Sequence, residues 1–201
     1  MQAATLPAAP AQPPRWQSEL ASGFRDPAAL LAALGLSPTD CGLATPGHPF
    51  PMRVPRGFAG RMRRQDPRDP LLLQVLPVAD ESVQAPGYVS DPVGDLASTR
   101  SPGLLHKYAG RALLVTTGAC AVHCRYCFRR GYPYGDQTAT GDHLDAAIGV
   151  IARDPSLEEV ILSGGDPLVL AEHRLAAVLQ ALDAIPHVRR IRIHSRVPVV
   201  L

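Results

Sequence analysis

The run Ala112-Leu113-Leu114-Val115-Thr116-Thr117-Gly118-Ala119-Cys120-Ala121-Val122-His123-Cys124-Arg125-Tyr126-Cys127-Phe128-Arg129-Arg130 joins a short apolar segment to three cysteines in CxxxCxxC spacing. A brief apolar run bounded by turn residues reads as a buried strand. The cysteines then lie in the loop that follows it. Three thiolates this close together can hold three irons of a [4Fe–4S] cube, which leaves the fourth iron without a protein ligand. The competing reading is a zinc site with His123 as a fourth ligand. Structural zinc sites usually pair two separated ligand knuckles, and the sequence offers no second one. Cys41 stands far from the triad and reads as a buried or bystander thiol.

Downstream, the same rhythm repeats. Leu144, Ile148 and Ile151 recur at helical spacing, and Glu159-Val160-Ile161-Leu162 is a second strand-like run. Leu175, Val178, Leu179 and Leu182 mark another helix, closed before Pro186, and Arg190 to His194 reads as a third strand. Strand, loop and helix at this pitch signify βα units around a parallel sheet, whose ligands sit at the carboxyl ends of the strands. On that rim the cysteine loop is joined by Ser163-Gly164-Gly165-Asp166 and by His194-Ser195-Arg196. The paired glycines let backbone approach a ligand closely. The plain alternative is a strand-to-helix turn capped by Asp166.

Upstream, the chain is rich in loops. Of its 21 prolines only Pro133, Pro155, Pro167, Pro186 and Pro198 follow residue 105. Residues 1–14 are Ala/Pro-rich and are expected to be a disordered tail, because they bury too little to offset the entropy of ordering. Residues 15–105 form a helical and loop-rich extension, and 106–201 the α/β core. Within the extension a helix is expected over Pro27–Leu34, with Asp26 as N-cap, Pro27 at the first position and Gly35 just beyond the end. Arg53, Arg56, Arg61, Arg63 and Arg64 read as a solvated basic face.

A chain of 201 residues, 46% hydrophobic, can bury a real core, and a formal net charge of +2 is too small to mark a nucleic-acid or membrane-surface protein. The amino terminus has neither the basic nor the apolar region of a secretory signal, so the expected location is the cytoplasm. In that reducing compartment three cysteines within eight residues read as metal ligands rather than a disulfide framework.

The cysteine motif after the first strand, with Tyr126 before the last Cys, resembles the radical S-adenosylmethionine (SAM) superfamily. Four segments narrow the resemblance to the lysine 2,3-aminomutase family: Pro102 to Tyr108, Cys127-Phe128-Arg129-Arg130, Leu162 to Asp166, and Arg192 to Val200. The stretches Phe50 to Pro55 and Asp69 to Leu72 are similar to the branch that makes (R)-β-lysine for elongation factor P.

The resemblance implies an α/β fold, the first three βα units of a partial (β/α) barrel behind the amino-terminal extension. It implies a radical 1,2-amino shift converting L-lysine to β-lysine, with a [4Fe–4S] cluster on Cys120, Cys124 and Cys127, SAM and pyridoxal phosphate. Ser163, Gly164, Gly165, Asp166, Ser195 and Arg196 would contact SAM. Lys107 and Arg111 would hold the phosphate of pyridoxal phosphate, and Arg129 the substrate carboxylate. Implied partners are an electron donor such as flavodoxin or ferredoxin and, indirectly, elongation factor P and its lysyl ligase. A homo-oligomer is compatible with the family, whereas nucleic acid and membrane are not expected partners.

The family's lysine for pyridoxal phosphate and its residues for the substrate's ε-ammonium lie beyond the stretch that this sequence matches. The expectation is therefore a truncated aminomutase, inactive by itself, whose last strand is an open apolar edge of the kind that invites pairing. The alternative from another class is a non-catalytic iron–sulfur or zinc-binding module with a protein partner.

Overall fold

A computed structural model describes residues 15–43, 50–83 and 85–201; the tail expected over residues 1–14 lies outside the described residues. Five strands form one sheet in the order β1-β2-β3-β4-β5: Thr99–Ser101, Leu104–Tyr108, Arg111–Thr117, Glu159–Gly164 and Arg190–Ile193. The three strands expected from sequence are β3, β4 and β5, parallel and adjacent, with Leu113 opposite Ile161 and Ile161 opposite Arg192.

The sequence reading missed β1 and β2, which extend the sheet antiparallel. They are short, and their turns are what identify them. Gly103 (φ 79°) closes the β1–β2 hairpin and Gly110 (φ 77°) the β2–β3 hairpin, each in the left-handed region that glycine enters without steric penalty. A side chain at Gly103 would also meet the Ala139 backbone nitrogen at 2.3 Å.

Helices α1 (Arg15–Ala21), α2 (Pro27–Leu34) and α3 (Arg56–Ala59) precede the sheet, and α4 (Asp142–Arg153), α5 (Glu172–Asp183) and the single turn α6 (Val197–Val200) follow within it. The expected capping of α2 is present: the Asp26 carboxylate accepts from Ala28 N, and Gly35 (φ 73°) ends the helix.

Side chains alternate between the faces of a strand. Ala112, Leu114, Val160 and Leu162 point to one face, where Ala147 and Ile151 of α4 and Val178 and Leu182 of α5 cover them. The other face carries Leu113, Val115, Ile161 and Ser163 at the centre, with Arg111, Glu159, Arg190 and Arg192 at the start of the same rows. A second core joins α1, α2, the segment Met52 to Leu76, Ala121 and Val122 of the cysteine loop, and Val197 and Val200 of α6. The two cores thus flank the rim that carries the cysteines.

The last strand departs from the expected apolar edge. Among the described residues β5 pairs only with β4, and two of its four residues are arginines, Arg190 and Arg192, which reach the buried Glu159 at 2.7 and 3.2 Å.

Candidate functional site

The loops after β3, β4 and β5 converge as the parallel topology requires. They line a cavity of about 720 Å³ that includes Cys120, Cys124, Cys127, Phe128, Arg129, Ser163, Gly164, Gly165, Asp166, His194, Ser195 and Arg196. All three cysteines are free thiols of intermediate burial. Burial, followed by the neighbouring Cys127, pushes the Cys120 thiol up to about 12. A thiol so shifted resists becoming a thiolate until cationic iron compensates the charge.

Among the described residues no three His, Cys, Asp or Glu side chains are grouped to hold a single metal ion. Three Cys thiols from one loop that line a single cavity are a donor set of the kind iron–sulfur clusters take. His123 is engaged with the amino-terminal segment: its ring stacks on Phe50 with centroids 5.3 Å apart, and its Nδ1 hydrogen-bonds the Pro51 carbonyl at 2.9 Å.

The amino-terminal segment holds the loop from outside. Arg53 donates to the Cys120 carbonyl (3.1 Å), and His123 N donates back to the Arg53 carbonyl (3.0 Å). Between Cys124 and Cys127, Arg125 N donates to the Gln74 carbonyl, while its guanidinium forms a bidentate pair with Glu81 at 2.8 and 2.5 Å. Arg130 reaches the same carboxylate at 3.0 Å.

Arg56, Arg61, Arg63 and Arg64 of the extension's basic run are exposed, in keeping with the solvated face expected of it, and their guanidinium groups also reach acceptors on the protein. Arg56 bonds the Ser22 carbonyl, Arg61 that of Val199 and Arg64 that of Ala33, while Arg63 pairs with Asp69. Their acceptors are mostly backbone oxygens remote in sequence, which no pattern of residue types reveals.

The glycines after β4 serve the chain itself. A Cβ on Gly165 would lie 2.1 Å from the Ala119 carbonyl oxygen, and one on Gly164 (φ 117°) would lie 2.6 Å from that of Thr117. These contacts let Gly165 N bond Thr117 O at 2.6 Å and Asp166 N bond Ala119 O at 2.8 Å, clipping the two loops together. The Gly164 carbonyl accepts from the Tyr134 hydroxyl. Asp166 is buried and works as the plain alternative supposed: it accepts from Leu168 N, and also from Arg196 N (2.7 Å) and Val197 N (3.1 Å). It therefore joins the β4 loop to the β5 loop.

Arg129 is 8% exposed. Its Nε donates to Asp95 at 2.6 Å and its Nη1 to Ser163 Oγ at 3.2 Å. Asp95, buried and missed by sequence reading, also binds Lys107 at 2.6 Å. Nothing local marks Asp95 among the aspartates of its loop. Arg111 sits 3.9 Å from Glu159.

Lys107, Arg111, Arg129, Arg192 and His194 line a second cavity, of about 340 Å³. Burial, then the charges of Arg192 and Arg129, lowers the pKa of His194 below its ordinary value. The two cavities share Leu113, Phe128, Arg129 and His194 as a wall. Among the described residues around them, Lys107, Arg111, Arg129, Arg190 and Arg192 pair with the carboxylates Asp95 and Glu159, with Asp91 near Lys107 and Glu158 near Arg190. This excess of cations favours anionic ligands.

Known proteins are similar to the chain along most of its length. Residues 109–191 match the family model described as a 4Fe-4S single cluster domain. The chain is 46% identical over 188 residues to the L-lysine 2,3-aminomutase of Escherichia coli and 41% identical over 187 residues to that of Haemophilus influenzae. Each alignment covers 92% of this chain and 55% of the relative, so the chain spans about half the length of these relatives. The L-lysine 2,3-aminomutase of Clostridium subterminale is 39% identical over 68% of the chain and 33% of its own length.

Proposed function

Since the chain belongs to the radical SAM enzymes of the lysine 2,3-aminomutase family, we propose that it carries the cluster-bearing part of an aminomutase that converts L-lysine to β-lysine. The observation that carries the proposal is the pair of cavities separated by one wall. On one side stand three thiols and a clipped glycine loop. On the other stand Lys107, Arg111 and Arg192. Arg129 belongs to both.

In this reading Cys120, Cys124 and Cys127 hold the cluster, while Ser163, Gly164, Gly165, Asp166, Ser195 and Arg196 form the floor and rim on which SAM rests. Lys107 and Arg111 bind the phosphate of pyridoxal phosphate. When bound, the cluster and SAM supply radical chemistry and pyridoxal phosphate supplies an electron sink. The protein supplies position and charge. Asp95 anchors Arg129 through Nε, and no partner among the described residues occupies its Nη2. The two terminal nitrogens can therefore present a fork to the substrate carboxylate. The Phe128 ring lies 4.8 Å from the Arg129 guanidinium carbon.

The finer reading is an (R)-β-lysine product destined for elongation factor P. Its support is the similarity over Phe50 to Pro55 and Asp69 to Leu72, together with alignments that cover 92% of the chain for the Escherichia coli relative and 68% for the clostridial one. An external one-electron donor of the flavodoxin or ferredoxin kind completes this reading.

Anaerobic reconstitution with iron and sulfide tests the proposal. The expected result is about four irons per chain, with a reduced-cluster EPR signal that changes when SAM is added. Bound zinc without iron, or a signal indifferent to SAM, would sink it. Chiral analysis of the β-lysine formed by the complete enzyme tests the finer reading.

A further inference from the structure

Of the three cysteine sulfurs, that of Cys124 accepts a hydrogen bond from a cationic side chain: Arg196 Nη1 lies 2.7 Å from it. We propose that Arg196 is a positioning residue for the cluster, which raises its reduction potential by donating to the Cys124 sulfur. The inference rests on the cluster reading above and gives Arg196 a role distinct from contact with SAM.

The guanidinium is held in place from several directions. The Arg196 backbone N–H is fixed on Asp166, Nη2 donates to Gln74 Oε1 at 3.2 Å, and Nη1 also meets the Tyr126 hydroxyl. The Tyr126 ring lies beneath the guanidinium carbon at 5.6 Å. An arginine side chain has much rotamer freedom to lose, and its planar fork loses less of it per hydrogen bond formed. Here three segments of the chain restrain it. Arg53 makes a useful contrast, because it approaches the same loop through the Cys120 carbonyl oxygen rather than a sulfur.

Cluster potentials follow net charge, hydrogen bonds to sulfur and solvent exposure. On reduction the cluster accepts one electron from an external reductant, no bond breaks, and the added negative charge falls partly on the ligand sulfurs. A fixed N–H donor bearing positive charge therefore stabilises the reduced form more than the oxidised one.

The test is an EPR-monitored titration with dithionite of the anaerobically reconstituted chain as wild type, Arg196→Gln and Arg196→Lys, with iron per chain measured in each. Arg196→Gln is expected to retain iron and to shift the one-electron equilibrium about tenfold toward the oxidised cluster, a potential ~59 mV more negative. Arg196→Lys keeps the charge and is expected to shift less, in the same direction. If Arg196→Gln loses iron, the lysine variant decides: a negative shift supports the proposal and an unchanged potential overturns it. Full iron with an unchanged potential in Arg196→Gln overturns it too, and so does loss of iron from both variants, which makes Arg196 a strut of the loop. A wild-type chain that takes up no iron overturns the cluster reading itself, and that failure is separate from the others.

Discussion

At the scale of single residues, Asp95 and Gly165 show how much of the site depends on groups that carry no motif. Asp95 contacts both Lys107 and Arg129, each at 2.6 Å. Asp95→Asn leaves Arg129 buried without its counter-charge, and removing one partner of a buried ion pair costs about 3–5 kcal/mol. Urea unfolding of the variant is expected to show a loss of that order. At Gly165 the constraint is steric, since a methyl group would meet the Ala119 carbonyl oxygen at 2.1 Å. Gly165→Ala is expected to lower stability by about 1–3 kcal/mol through overpacking and to reduce the iron retained after reconstitution. Thermal melts and iron analysis check the two effects together. The cysteines were legible in sequence because iron requires sulfur at short spacing. Asp95 was not, because its partners lie 12 and 34 residues away.

At the scale of elements, the cysteine loop is braced by a segment that sequence patterns left as irregular. Burial pushes the Glu81 carboxyl up, but hydrogen bonds from Arg125 and Val78 and the charges of Arg125 and Arg130 outweigh it, so the net shift is below the ordinary 4.5. A depressed carboxyl pKa contributes stability that is fully present above the unfolded value and is lost as pH falls through the folded one. The stability difference between wild type and Glu81→Gln is therefore expected to be constant above about pH 5 and to shrink below pH 4.5. At neutral pH that difference should be about 1.5–3 kcal/mol, the scale of hydrogen bonds to a charged group. Denaturant titrations at several pH values measure it. The βα elements were readable because α4 and α5 must bury one stripe each and β4 carries the buried apolar run Val160-Ile161-Leu162. β1 and β2 escaped because so few residues leave no period to count, and only Gly103 and Gly110 signalled their turns.

At the scale of the whole molecule, the two cores meet at the cysteine loop, whose Ala121 and Val122 belong to the same cluster as Leu30, Leu31 and Phe58. The sheet with α4 and α5 is therefore not a self-sufficient cluster carrier. Removing residues 15–82 is expected to expose that apolar surface, so the shortened chain should aggregate and retain little iron, as size-exclusion chromatography and iron analysis would show. No helix among the described residues is long and apolar enough to cross a membrane.

The sequence by itself determined the cysteine triad, the parallel order of β3, β4 and β5, and the rim on which their loops gather. Those features follow from local spacing and from the right-handed connection of parallel strands. Only the tertiary structure decided that Asp166 ties two loops together, that the arginines of the extension are struts, that Arg129 stands between two cavities and that Arg196 reaches a cysteine sulfur. Each is a contact between side chains and backbone groups remote along the chain, and such pairings are fixed by how the elements pack.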